Sequence, residues 1–220
     1  MSAINCCLLY KPSETKSSLV ILNDMLQASN YWEPDALSTA SNAVNNCRIG
    51  KASLFNTALS KNDMVYTDTE TGNIITANAR IDNRQELMHE LNISNTLITD
   101  GQIILYAYQK WGKACVKHLL GDFAFIIWDE KNKKLFCARD HFGIKVLLYS
   151  KTEEGILISN EPNAFFESNW IIKQIKEAFL VNQIWNLGTN DVENAYHGLE
   201  VLPPAHILEA DTEGLRIERY

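Results

Sequence analysis

The sequence predicts an α+β fold, and three observations carry the prediction. Phe123 to Trp128 and Leu135 to Ala138 are short apolar runs joined by the fully polar Asp129-Glu130-Lys131-Asn132-Lys133. Two such runs around a few polar residues read as an antiparallel hairpin. Neither run alternates cleanly, so both faces of these strands are expected to be covered. Helical spacing stands beside them, in Leu19, Ile21, Leu22, Met25 and Leu26 and again in Ile103, Ile104, Ala107, Tyr108 and Trp111.

Bulk properties bound the rest. A chain of 220 residues suits one large domain or two small ones. With 46% hydrophobic and 21% charged residues, it has the composition of a soluble globular protein. A net charge of −7 argues against broad nucleic-acid binding, which needs a basic face. No apolar run approaches the roughly 20 residues that cross a bilayer, and no basic segment precedes an apolar core at the N-terminus. No membrane or nucleic-acid partner is therefore expected. Cys6, Cys7, Cys47, Cys115 and Cys137 form an odd, scattered set without a CxxC pair. They read as core residues in a reducing, cytoplasmic compartment rather than as zinc ligands or a redox dithiol. The histidines are scattered too, and none is assigned to a metal.

Taken in order, Met1 to Tyr10 reads as a strand that starts at the first residue, unusual because termini fray unless held. Lys11 to Ser18 is a loop and Leu19 to Ala28 a helix. Ser38 to Asn46 is polar and irregular. Arg48 to Leu59 contains a strand, Ser60 to Asp63 is polar, and Thr69 to Asn73 has turn composition. Ile74 to Ile81 reads as a strand. Asp82 to Leu87 starts a helix, with Asp82 or Asn83 as cap and Glu86 in its first turn. Thr99 and Gln102 have the spacing of a capping box, heading a helix that runs to Trp111 and ends at Gly112. A short helix over Lys113 to Leu120 leads into the hairpin. Beyond the hairpin, Gly143 marks a tight turn, and Val146 to Tyr149 and Gly155 to Ser159 are strands. Ile171 to Val181 reads as a helix with polar breaks, and Leu215 to Tyr220 as a last strand.

One stretch says more than its periodicity. Gly121-Asp122-Phe123-Ala124-Phe125, Trp128-Asp129, and Ala138-Arg139-Asp140 followed by Phe142-Gly143, Lys145, Leu147 and Tyr149 closely resemble the glutamine amidotransferase domain of asparagine synthetases. Val146 stands where that family usually has proline. Leu202-Pro203-Pro204-Ala205-His206 resembles the family's closing Leu-Pro-Pro-Gly-His. The likeness is strong over residues 99–150, looser over 74–91 and 202–208, and weakest before 50. It implies the N-terminal-nucleophile hydrolase fold, an αββα sandwich of two antiparallel sheets between helical layers, with residues 1–220 as one class II amidotransferase-like domain. Ala79-Arg80-Ile81-Asp82-Asn83-Arg84-Gln85-Glu86-Leu87 looks like a divergent branch of the family, which includes lasso-peptide cyclase and β-lactam synthetase-like proteins.

The resemblance also assigns roles. In the family the initiator methionine is removed and a cysteine at position 2 attacks the glutamine side-chain amide. Its own α-amino group, which titrates at about 7.7 to 8.0, takes the proton. Here Ser2 holds that position. Serine is small enough for methionine removal, which would leave an N-terminal hydroxyl nucleophile. A hydroxyl is far less acidic than a thiol, so the reaction slows greatly. The plainer alternative is an ordinary second residue in a domain that has lost hydrolysis. Cys6 and Cys7 carry no free α-amino group and read as strand packing. The resemblance places Asn78 in the oxyanion hole, Ala79 in place of its glycine, and Arg80 in place of a substrate-binding glutamate. It places Trp32 where an arginine grips the substrate's α-carboxylate, a bond tryptophan cannot form, with Arg48 as another source of charge. Asp100 matches an aspartate that holds the substrate's α-ammonium group, or else simply favours the positive end of its helix.

Loss of the thiol, arginine, glycine and glutamate together points to the N-terminal amidotransferase-like domain of an asparagine-synthetase-like, ATP-dependent amide-forming enzyme, with glutaminase activity impaired or lost. The family's ATP-binding loop, Ser-Gly-Gly-x-Asp-Ser, is absent from these residues. No cofactor or metal is expected in this chain; ATP and magnesium are expected only in a following synthetase domain. That domain or a partner chain is the expected partner, with glutamine and a homodimer left open. Two alternatives stand: an active amidohydrolase using Ser2, Asn78 and Asp100, with Trp32 and Arg80 reshaping its pocket, or a stand-alone non-catalytic binding module.

Overall fold

A computed structural model describes residues 2–11, 17–57, 59–185 and 192–220. Met1, expected in the first strand, and residues 12–16 of the expected loop lie outside the described residues.

The first half of the chain runs β1 (Ala3–Leu9), α1 (Ser18–Gln27), β2 (Ala36–Ser41), β3 (Cys47–Ser53), β4 (Tyr66–Thr67), β5 (Ile74–Ile81), α2 (Arg84–Glu90) and α3 (Asp100–Trp111). The second half runs β6 (Gly121–Asp129), β7 (Lys134–Arg139), β8 (Leu148–Lys151), β9 (Gly155–Ser159), α4 (Asn163–Glu167), α5 (Glu177–Ile184), β10 (Glu200–Val201), β11 (His206–Ala210) and β12 (Leu215–Arg219). The strands form two six-stranded sheets among the described residues, ordered β10-β8-β9-β1-β3-β2 and β12-β11-β7-β6-β5-β4. Their ladders are antiparallel.

Why β1 is apolar without alternation is now visible. It lies inside the first sheet, between β3 and β9, and all of its residues are buried. Ile4, Cys6 and Leu8 face the second sheet, where they meet Ile126, Trp128 and Cys137. Ala3, Cys7 and Leu9 face the other way, onto Ile21, Leu22 and Met25 of α1 and Phe165 of α4. In the second sheet, Phe123, Phe125 and Ile127 of β6 face Leu87 of α2 and Ile103, Ile104 and Ala107 of α3. The order of layers is therefore helix, sheet, sheet, helix. All five cysteines are free and buried. Burial pushes the thiols of Cys6, Cys7 and Cys137 well above their ordinary value, and that of Cys115 to about 12.

Several elements differ from the sequence reading. Ser38 to Ser41 belongs to a strand, not an irregular segment. As the sheet's edge, β2 exposes much of its surface, which permits its polar composition. The strand expected at Val146 begins at Leu148, because Asp140 accepts the backbone N–H groups of Ile144 and Lys145 at 2.9 and 2.8 Å and holds the preceding residues out of the sheet. The helix expected over Ile171 to Val181 begins only at Glu177, and Ile175 instead bridges to Tyr196. The short α4 was not expected, and Gly112–His118 is a 3₁₀ helix rather than an α-helix. Asn83 occupies the N-cap position of α2 without capping it. Its side chain accepts from Leu120 N–H at 3.1 Å and donates to His118 C=O at 2.9 Å. At α3 both arms of the Thr99–Gln102 capping box are formed, and Gly112 closes the helix at φ 57°.

Candidate functional site

Inward-facing residues at one end of the sandwich build the site. In β5, Ile74 faces the opposite sheet, so the side chains two and four residues on share that face. This aims Asn78 at the start of β1. Its amide donates to the Ser2 carbonyl at 3.2 Å. Asn160, just beyond β9, does more: its amide donates to the same carbonyl at 2.9 Å, and its side-chain oxygen accepts from Ile4 N–H at 2.8 Å. The N-terminal strand, which would fray unless held, is thus clamped by two asparagines.

Ser2, Asn78, Arg80 and Asp100 line a single cleft of about 390 Å³, with Asn56, Thr57, Ser60, Asp63, Ala79, Thr99 and Lys145. The sequence places these residues far apart; the facing sheets bring them together. The loop on one wall folds on itself, Ser60 Oγ accepting from the N–H groups of Asn56 and Thr57 at 3.0 Å.

The charges of Asp100 and Arg80 at the cleft are already engaged. Asp100 sits in the first turn of α3, accepts from Ile81 N–H at 3.0 Å and pairs with Arg84, which also donates to the Ile98 carbonyl. Arg80 pairs with Asp82 at 3.0 Å and with Asp122, opposite it on β6, at 3.2 Å. The side chain of Ala79 packs partly against the cluster on the helix face of β5.

Trp32 and Arg48 do not join the cleft. Trp32 packs against the cluster between the first sheet and α1, and Arg48 reaches Ser18 Oγ at 3.2 Å and Asn45 at the far end of α1. Three of the four altered family positions therefore meet at the cleft, and the fourth does not. A different cation stands close by. Lys51 of β3 lies opposite Ile4, is fully buried, and pairs with the cleft residue Asp63 at 2.6 Å. Burial pulls its amine below the ordinary lysine value while Asp63 pulls the other way. The available signal was a lysine amid the small and apolar residues of Cys47–Ser53. Asn160 carried no comparable signal.

The Arg139-Asp140 pair, prominent in the motif, acts on backbone. Arg139 donates to the carbonyls of Gly143, Lys145 and Leu202 at 2.7, 2.8 and 2.8 Å. Asp140 accepts from Phe142, Ile144 and Lys145. Gly143 closes this turn at φ 69°, and a Cβ there would lie 2.8 Å from Arg139 Nη2 and from Pro204. The result is a rigid loop that brings Lys145 to the cleft.

Two facing antiparallel sheets between helices, with the cleft at the N-terminal strand, define an N-terminal-nucleophile amidotransferase fold. Glutamine phosphoribosylpyrophosphate amidotransferase from Bacillus subtilis, complexed with ADP and GMP, has this fold, with a TM-score of 0.70 over 100% of this chain and 49% of that one at 12% identity. The sequence matches the family described as "Glutamine amidotransferase domain" over residues 1–220, and the chain belongs to that family. Asparagine synthetase [glutamine-hydrolyzing] 3 of Bacillus subtilis is 32% identical over 148 residues, covering 65% of this chain and 24% of the relative. Asparagine synthetase [glutamine-hydrolyzing] 2 of the same organism is 23% identical over 207 residues, covering 91% and 27%. The chain thus spans about a quarter of the length of these relatives.

Proposed function

We propose that this chain is the N-terminal amidotransferase domain of an ATP-dependent, amide-forming enzyme of the asparagine-synthetase type, with glutaminase activity impaired or lost. The observation that carries this reading is the state of the cleft. A hydroxyl stands where the chemistry asks for a thiolate. The Asn78 amide is bonded to the Ser2 carbonyl, and the Arg80 and Asp100 charges are paired within the protein. A transition-state oxyanion needs donors already aimed at it and not engaged elsewhere.

In this reading residues 1–220 are one domain, and its partner is a synthetase domain in the same or another chain. ATP and magnesium act in that domain. The protein works in the cytoplasm, in amino-acid, peptide or β-lactam chemistry, with homodimerisation left open. No helix among the described residues is long and apolar enough to cross a membrane.

The convergence of Ser2, Asn78 and Asp100 on one cleft favours a second reading, a serine-based amidohydrolase. Glutamate release from glutamine separates the two, with mass spectrometry reporting whether Ser2 is the N-terminus. The first reading expects background release from the native protein and from Ser2→Ala. Recovery in Ser2→Cys would place the defect at the nucleophile alone. Release above background that Ser2→Ala abolishes would overturn the first reading in favour of the second.

A further inference from the structure

Four charged side chains line the cleft: Asp63, Arg80, Asp100 and Lys145. Three are neutralised within the protein. Asp63 pairs with Lys51, Arg80 with Asp82 and Asp122, and Asp100 with Arg84. Among the described residues Lys145 has no ion-pair partner. We propose that Lys145 is the specificity-determining cation of this cleft, binding the carboxylate of a small amide or amino-acid ligand.

The loop that carries Lys145 supports this role. Its N–H donates to Asp140 at 2.8 Å and its carbonyl accepts from Arg139 at 2.8 Å. Those two side chains are buried, at 1% and 4% exposure. The backbone is thus fixed on both sides before a ligand arrives, which lowers the ordering cost of binding. An ammonium on a flexible stem is a point charge that suits a carboxylate without demanding bidentate geometry. The other cations are poor rivals. Lys51 is buried against Asp63, and Arg80 is 65% exposed and held by two carboxylates. Thr57, Ser60 and Thr99 line the same cleft with hydroxyls, and about 390 Å³ accommodates a small molecule.

The inference rests on the amidotransferase reading for its choice of probes, and it requires binding, not hydrolysis. Calorimetric titration of the full chain with L-glutamine, L-glutamate and L-glutaminamide tests it. The amide probe lacks the α-carboxylate. Glutamine is expected to bind, and glutaminamide to bind about tenfold more weakly, the scale of one lost charge-assisted bond. Lys145→Met should weaken glutamine by a similar factor and abolish the difference between the probes, while Lys145→Arg should retain it. Thermal melts matching the native protein would establish that both variants are folded. If Lys145→Met still discriminates glutamine from glutaminamide, or if the native protein binds neither glutamine nor glutamate, the inference is overturned. Glutamate release followed in the same samples reports separately on whether hydrolysis is lost.

Discussion

Ser2 is held through its backbone: its carbonyl accepts from Asn160 at 2.9 Å and from Asn78 at 3.2 Å. Asn160 also accepts from Ile4 N–H, so one side chain replaces the ladder partner that the end of β1 lacks. Asn160→Ala should therefore cost about 1–3 kcal/mol, because it leaves the Ile4 N–H without its acceptor and the Ser2 carbonyl with Asn78 as its remaining donor. Urea unfolding would measure the loss, and amide exchange at Ile4 should quicken; an unchanged Ile4 would show that the clamp is redundant. Little of this was legible in the residues. Asn160 stands in an ordinary Ser-Asn-Glu-Pro run, and its role comes from 156 positions of separation closed by the β1–β9 ladder. Asp100 was half legible: its place in a helix's first turn could be read from Thr99 and Gln102, but the Arg84 that neutralises it could not.

At the scale of elements, α3 places one wall of the cleft, and its first turn is set by the Thr99–Gln102 box. Thr99→Ala should cost about 1 kcal/mol, since the Gln102 N–H, one arm of the box, loses its acceptor. A denaturant midpoint reads this directly, and no change would mean that Asp100 and Arg84 anchor the helix end by themselves. The elements that were legible are those with strong local signals: β5, β9, α1 and α3 lie within a residue or so of their expected bounds. The displaced ones have tertiary causes. Asp140 holds Ile144 and Lys145 in a loop before β8, although their neighbours Val146 and Leu147 have strand-like side chains. Similarly, β2 is polar because it is an edge, and pairing with β3 rather than an apolar face makes it a strand.

For the molecule as a whole, two helix-covered sheets bury the thiols of Cys6, Cys7, Cys115 and Cys137, and that burial holds their protons on. The unfolded chain gives those protons up near the ordinary thiol value of 9.0. Above it the unfolded state binds fewer protons than the folded one, so stability is intact below pH 9.0 and falls as pH rises. Lys51 works in the opposite sense. Its lowered amine makes the folded state bind fewer protons, so stability rises towards the ordinary lysine value of 10.5. Four thiols outweigh one amine. Urea midpoints should therefore decline from about pH 8 to about pH 10, more shallowly in Cys137→Ala than in the native protein. An equal slope in both would show that burial of this thiol does not control the decline.

By itself the sequence determined the hairpin, the periodic helices, the buried cysteines and the family, because these reside in local spacing and in a motif of some thirty contiguous residues. It also brought Ser2, Asn78, Arg80 and Asp100 forward as candidates. Only the tertiary structure decided that those four share one cleft while Trp32 and Arg48 lie away from it. Only there do Lys51, Asp63 and Asn160 acquire a place, and only there is Lys145 distinguished from the other cations. The reason is physical. Which charge is neutralised depends on what faces it across two sheets, and strand order and register, which set those partners, are fixed by burying both faces of every central strand.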